Sequence, residues 1–386
     1  MRVRKPELVE HGQEVRIRAL VEWEGRREYL WYAVERRYGE YLTPEHLDAF
    51  VVGLLMPAMM AGEDLHVDGP VSEKLHWNLR QYYMRILRSV NPKLSAVRVL
   101  AAELYDGRQR PRPTGVGAGF SGGIDSFCVL ADHFLDDVPQ AYRITHLLFN
   151  NVGSHGDGGC TMFRNRAERL RPCAEELGLP FICIDSNLDE FYRLGFQESH
   201  SVRNISAALV LQKLLGKCLY ASAFRYEDCF VGRTKFAGHT DPVAIHLLST
   251  ERMECILSGA QYSRVEKTAR ITKIPQSYRY LDVCIDPRRG NVNCGVCWKC
   301  ARTLLTLELL GKTSLYEAVF PLEKYRLARR RCVARVLSKN SPLTREVALL
   351  ARERSCRFPW DIKALVTIRR ASAYVRSLLL WRHVLP

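Results

Sequence analysis

Val116-Gly117-Ala118-Gly119-Phe120-Ser121-Gly122-Gly123-Ile124-Asp125-Ser126 is the stretch on which the fold turns. The apolar run VGAGF precedes a pair of glycines, and an apolar helical run starts at Ile124, so the segment predicts strand, loop and helix in that order. Gly122 and Gly123 let the backbone turn sharply and bring bare N–H groups against an anion, Ser121 and Ser126 add hydroxyl donors, and the helix adds its positive end. Asp125 is unexpected in a loop built for anions: it either holds a divalent cation that bridges phosphates or braces the loop. The plainer alternative is a glycine turn between strand and helix. The pattern GxxxxGK[ST] is absent, so this is not a Walker loop.

Outward from the loop, short apolar runs alternate with helical ones: Ile124 to Phe134, Ile144 to Phe149, Phe163 to Leu177, Phe181 to Ile184, then Val202 to Leu215. This is the pattern of an α/β protein with a parallel, doubly wound sheet, whose ligand lies at the carboxyl ends of the strands. Before the loop, Val15, Ile17, Ala19 and Val21 alternate with polar residues and Glu24-Gly25 leads to the aromatic run Tyr29 to Val34, a β-hairpin with one buried face. Thr43-Pro44-Glu45 predicts a helix start running to about Ala61, Asp64 to Asp68 a strand, and Ser72 the cap of a helix ending near Asn91-Pro92. The polar segment Asp106 to Thr114, with two prolines, suits a linker. Three regions follow: an α+β domain over 1–105, the loop-bearing domain over 115–313 and a basic helical region over 314–386.

The 386 residues, 47% hydrophobic and 26% charged, exclude a disordered chain and a disulfide-stapled peptide. The longest apolar run, 49–62, is too short to span a membrane and predicts a buried core helix; no transmembrane segment is expected. The opening residues are too charged for a signal peptide, and thirteen cysteines then read as reduced thiols at a cytoplasmic address. Net charge is +15, and from Pro321 to Pro386 sixteen Lys or Arg face four Asp or Glu. That tail is either a set of solvated amphipathic helices or a surface for an acidic partner such as nucleic acid or a phosphorylated ligand, with a membrane-surface role for 371–386 as a weaker reading.

Cys284, Cys294, Cys297 and Cys300 have the spacing C-x9-C-x2-C-x2-C. Four thiolates this close suit a closed, structural zinc site; an iron–sulfur cluster is the rival. The other nine cysteines read as core residues. Asn150, Asn151, His155 and Asp157 follow a predicted strand, where a ligand of an open sheet is contacted or where a surface loop runs. Arg203 is expected at a helix start, either reaching phosphate or solvated, and Arg264 and Lys267 share a helix face, either serving an anion or forming an ordinary basic face.

SGGIDS resembles the SGGxDS loop of the N-type ATP pyrophosphatases, the PP-loop or adenine nucleotide alpha hydrolase superfamily. The resemblance implies ATP cleavage between the α and β phosphates, transfer of AMP to a carboxylate or carbonyl oxygen, and release of pyrophosphate held by Ser121, Gly122, Gly123, Ile124, Asp125 and Ser126, with magnesium. Paired with CGVCWKC, it narrows to proteins similar to 7-cyano-7-deazaguanine synthase, which use ATP and ammonia to turn a carboxylated 7-deazapurine into a nitrile. Arg203-Asn204 resembles that family's arginine–asparagine pair and Lys267 its lysine before the cysteines. Asp125, Arg203 and Lys267 are therefore the expected catalytic residues, Asn150 and Arg203 join the nucleotide-binding set, and the four cysteines hold zinc. The likeness covers about residues 115–313. It departs at Gly232 to Leu248, where a Tyr-Pro-Asp-Cys-like substrate motif is absent, and at Arg302, one place early. The expected partners are a small acid and ammonia, with nucleic acid or protein on the basic tail; a homodimer stays open. The alternatives are a sulfurtransferase acting on a base or tRNA, and a nucleotide-binding module that recruits a macromolecule.

Overall fold

The amino-terminal strands form as their alternation predicts. In this computed structural model, which describes residues 1–109, 111–156, 159–284 and 293–382 with side chains as far as 372, β1 (Arg2–Val3) and β2 (Glu7–His11) lead into the hairpin β3 (Glu14–Trp23) and β4 (Arg26–Glu35). Glu24 and Gly25 turn the hairpin with φ of 47° and 74°, the left-handed pair that matches strand twist in a two-residue loop. Ile17, Ala19 and Val21 are buried on one face.

The helix expected from Thr43 instead starts later, at Asp48–Ala61. Thr43 Oγ1 donates to the Val210 carbonyl at 3.2 Å rather than capping a helix. The new start is fixed by Asp48, a fully buried carboxylate that accepts from Ser72 N (2.8 Å), Tyr105 Oη (2.6 Å) and Gln212 Nε2 (3.0 Å). A buried charge must be satisfied this way, and no residue before Asp48 has that set of donors. The rest of the helix is apolar all round and buried, as its composition predicts. Ser72 caps the helix Glu73–Asn78, its hydroxyl accepting from Leu75 N at 3.0 Å, and helical turns continue to Val90.

β5 (Leu65–Ser72), β6 (Val99–Tyr105), β7 (Gly115–Gly119), β8 (His146–Asn150), β9 (Phe181–Ser186), β10 (Leu215–Ala221) and β11 (Glu254–Ser258) complete a mixed α/β sheet of eleven strands, ordered β11-β10-β7-β8-β9-β4-β3-β1-β5-β6, with β2 on β3. The strands from β7 to β11 are parallel. Numbered from β7 their order is 3-2-1-4-5, the arrangement in which the chain leaves the central strand first one way and then the other. The amino-terminal strands join the same sheet, because β4 pairs antiparallel with β9 at Tyr32–Ser186 and Ala33–Asp185.

Met1–Ser121 with Val129–Gln261 form one compact unit and Gly122–Cys128 with Tyr262–Pro386 a second. The first holds the sheet. The second contains the helices Arg264–Ile271, Trp298–Leu309, Leu322–Ser338, Pro342–Glu353 and Trp360–Arg382. No helix among the described residues is long and apolar enough to cross a membrane.

Candidate phosphate loop and four-cysteine centre

β7 is the strand at which the sheet order reverses, and it runs directly into Ser121. In open α/β sheets the carboxyl ends of strands at such a point are where ligands bind. Gly122 has φ of 70°, a left-handed backbone that disfavours any side chain. The Gly123 carbonyl accepts from Phe127 N and from Ser126 Oγ, each at 3.0 Å, which winds the first turn of the helix Ile124–Leu130. Ile124 is buried, so only its backbone is available to a ligand.

Asp125 stands in that first turn and meets two cations: Lys267 Nζ lies 3.2 Å from one carboxylate oxygen and an Arg264 guanidinium nitrogen 2.8 Å from the other. Burial alone would raise the Asp125 carboxyl, but the charges of Arg264 and Lys267 outweigh it and hold the pKa below the usual value. Both oxygens are thus engaged, which is the bracing arrangement of the two alternatives for Asp125. Arg264 and Lys267 come together because a capping box fixes their helix: the Ser263 hydroxyl accepts from Glu266 N (3.1 Å) and Glu266 accepts from Ser263 N (2.7 Å). Neither is an ordinary surface residue, at 8% and 1% exposure. Arg302, at 5% exposure, adds a third buried cation. Burial, then the like charge of Arg264, push its pKa down to about 9 against the opposing pull of Asp125 and Glu346. A guanidinium resists losing its proton, so Arg302 stays a cation here.

The four cysteine sulfurs lie within 4.8 Å of one another. Cys284 and Cys297 are 3.9 Å apart, and Cys294 and Cys300 4.0 Å. Sulfurs on a tetrahedron at 2.3 Å from zinc would be separated by about 3.8 Å, so the donor set fits that ion. The amides of Cys297 and Cys300 point at the sulfurs of Cys294 (3.1 Å) and Cys297 (3.5 Å), and Cys297 caps the helix Trp298–Leu309. Asn293 holds the two arms together, accepting from Cys284 N (3.1 Å) and donating to Leu281 O (2.8 Å) and Val319 O (3.0 Å). The linking residues 285–292, like Asp157 and the last residues of the tail, lie outside the described set.

In the first unit, Asn150 ends β8, its amide donating to Asn204 Oδ1 at 3.1 Å while its own Oδ1 is buried with no hydrogen-bond partner among the described residues. Asn151 and His155 are buried rather than on an open loop, the His155 ring packed edge-on to Phe149 and Phe163. Burial, reinforced by Arg166, pushes the His155 pKa down to about 4.

Arg203 does not open its helix. The helix runs Phe196–Leu209, six residues earlier than Val202, because Gly195 N donates to Glu198 at 3.3 Å and sets the start there. The Arg203 guanidinium is 1% exposed and donates to Ser199 Oγ (2.8 Å), Val152 O (3.1 Å), Leu194 O (2.9 Å) and Asp189, over the Tyr192 ring. It holds the loop after β8. Gly153 is required there: at φ of 94°, a Cβ would fall 2.4 Å from both Arg203 Nη1 and Asp189 Oδ1.

Sequence reasoning missed Glu346, whose carboxylate accepts from Arg264 N at 2.6 Å and is 6% exposed. Its signal was available, an acid in register with Val347 and Leu350 on the apolar face of the amphipathic helix Pro342–Glu353. It also missed Asp241, in the segment where a substrate motif was expected. Asp241 is 2% exposed, its Oδ1 accepts from the Ser201 hydroxyl, and its Oδ2 is buried without a partner among the described residues. Burial raises its pKa from 3.8 to about 7, only partly offset by Ser201. A carboxyl with a raised folded-state pKa contributes stability that is full below pH 3.8 and is lost as pH rises through about 7. Asp241→Asn should abolish that fall, gaining up to ~4 kcal/mol on the wild type between pH 4 and pH 8. Urea melts at both pH values check it; a stability difference that does not change with pH would refute it. Among the cysteines outside the cluster, Cys128, Cys173, Cys218, Cys255 and Cys332 are buried as expected, but Cys183, Cys229 and Cys356 are only half-buried and Cys160 is exposed.

Comparison of the chain with protein-family models, with curated proteins and with solved structures gave no match. Its class therefore rests on the fold: a mixed α/β protein whose central sheet is largely parallel, with a four-cysteine group able to hold a metal ion.

Proposed function

We propose that the chain is an ATP-dependent, ligase-type enzyme that forms AMP and pyrophosphate while joining carbon to nitrogen. The carrying observation is the Ser121–Ser126 loop after the central parallel strand, with Asp125 gripped by Lys267 and Arg264. A carboxylate or carbonyl oxygen of the substrate attacks the α-phosphorus of ATP, the bond from that phosphorus to the bridging oxygen breaks, and pyrophosphate leaves with the electron pair. Ammonia or an amine then attacks the activated carbon, the C–N bond forms, the C–O bond breaks, and AMP departs with its oxygen.

The protein's contribution to this chemistry is position and charge. Ser121, Gly122, Gly123, the Ile124 amide and Ser126 supply donors to the departing pyrophosphate, and Lys267 and Arg264 neutralise its developing charge. Asp125 keeps those two cations aimed at the loop. Asn150 offers an open acceptor at the end of β8, and Arg203 acts as a positioning residue for the segment behind it. Magnesium enters on the nucleotide. Zinc on Cys284, Cys294, Cys297 and Cys300 supplies a structural tie, since a closed four-sulfur site has no open position for chemistry.

The 7-deazapurine version is the most specific. Purified protein given ATP, magnesium, ammonium and 7-carboxy-7-deazaguanine should release AMP and pyrophosphate in equal amounts and consume the acid. Release of ADP would overturn the adenylation, and AMP formation only with a different acid would overturn the deazapurine alone.

A further inference from the structure

We propose that Arg302, Arg335 and Lys339 form a binding site for a phosphate group beside the indole of Trp298. The site draws on the region beyond residue 313 and takes no ligand group from the glycine loop or Asp125, although Arg302 feels the charges of Asp125 and Arg264, so it is tested separately from the adenylation reading.

Trp298 and Arg302 are one helical turn apart on the helix Trp298–Leu309 and share a face. Arg335 lies near the end of the helix Leu322–Ser338, and Lys339 follows it directly. The Lys339 ammonium sits 3.8 Å from the Trp298 ring centre and the Arg302 guanidinium 5.5 Å from it, so the two cations share one indole. Arg335 donates to Val296 O at 2.9 Å, two residues before that indole.

The case rests on what these cations lack. Arg302 is 95% buried, since its exposure is 5%, and its Nε has no hydrogen-bond partner among the described residues. The two acids that act on it are already engaged: Asp125 by Lys267 and Arg264, Glu346 by the Arg264 amide. Lys339 makes no ion pair among the described residues, and its pKa is pushed down by burial and by the like charges of Arg302 and Arg335. A buried guanidinium left unmatched is costly, and the two cations at the ring repel each other, with Arg335 adding a third like charge on Lys339, a repulsion that an anion placed among them relieves. Phosphate answers this chemistry best, because a guanidinium fork binds two of its oxygens at once while an ammonium adds a point charge. The adjacent indole gives the group that carries the phosphate a flat surface to lie on. The phosphate could belong to a free nucleotide or to an RNA backbone.

The test labels the full chain with 5-fluorotryptophan and follows the Trp298 fluorine signal, assigned from Trp298→Phe, so that binding elsewhere does not enter the readout. Inorganic phosphate and AMP should shift the signal and adenosine should not. Arg302→Met should weaken the phosphate response at least about tenfold and Lys339→Met several-fold, with Arg302→Lys retaining part of it. Lys339 is on the surface, so its variant reports even where Arg302→Met fails to fold. A short single-stranded RNA binding more tightly than AMP, with a steep salt dependence, supports the site with RNA as the source; equal affinity supports it with a nucleotide. A wild-type signal unmoved by phosphate, or the same isotherm in both methionine variants, overturns the site. Loss of AMP formation with the Trp298 response intact counts against the adenylation reading alone.

Discussion

A Lys267→Met protein should form AMP and pyrophosphate about a hundred- to a thousandfold more slowly than the wild type, the loss typical of removing one preorganised charge from a site where anionic charge develops. Lys267 is 1% exposed and its ammonium lies 3.2 Å from Asp125, so its removal has two consequences. It takes a cation from the leaving pyrophosphate, and it leaves the Asp125 carboxylate paired with Arg264. The second effect costs stability only modestly, because the Asp125–Arg264 pair that remains is balanced in charge and what is lost is one charge-assisted hydrogen bond. The double variant Asp125→Asn, Lys267→Met separates them: it takes the carboxylate from the buried Arg264 guanidinium as well, so stability should fall below that of the single variant while turnover stays low. Thermal melts and steady-state rates on the three proteins give the answer. A double variant with wild-type turnover would sink the role assigned to the cluster.

Removal of metal should have the largest effect on stability. The protein should carry one zinc per chain and be colourless, and a chelator should loosen the unit that contains Gly122–Cys128 and Tyr262–Pro386 while the hairpin of β3 and β4 keeps its amide protection. Structural zinc on thiolates contributes about 10–16 kcal/mol of apparent binding free energy near neutral pH, more than the whole stability of most domains. Cys297→Ser should act in the same direction, since Cys297 is both a sulfur ligand and the cap of the helix Trp298–Leu309. Acidification should release the metal, as protons compete for the thiolates. Metal analysis and hydrogen exchange measure these effects. A protein that purifies without metal and whose exchange ignores the chelator would remove the centre from the account; a brown protein would replace zinc with an iron–sulfur cluster.

The two sites were unequally legible. The cysteine spacing sufficed to nominate four ligands, and the sulfurs meet because three of them sit within seven residues and the fourth is tied in by Asn293. The strand, glycine turn and helix around Ser121–Ser126 were legible for the same reason: that order depends on local backbone. Arg203 was misplaced within its helix, because the start is set by Gly195 and Glu198, a weaker signal than the apolar run that follows. Asp48 shows the same limit, since the donors that make it a helix start lie 24, 57 and 164 residues away.

Local chemistry, then, was written in the chain: the hairpin turn at Glu24-Gly25, the loop at Ser121–Ser126, the grouping of the four cysteines. Each depends on neighbours a few residues apart, and propensity and spacing act at that range. Tertiary structure alone decided that the amino-terminal strands extend the parallel sheet through β4 and β9, that Asp125 spends both oxygens on Lys267 and Arg264, that Glu346 reaches the Arg264 amide, and that Arg302 is buried with no hydrogen-bonding partner for its Nε among the described residues. Those outcomes depend on which distant groups are packed out of water together. A buried charge is satisfied by whatever the fold brings to it, and no periodicity in the sequence records that choice.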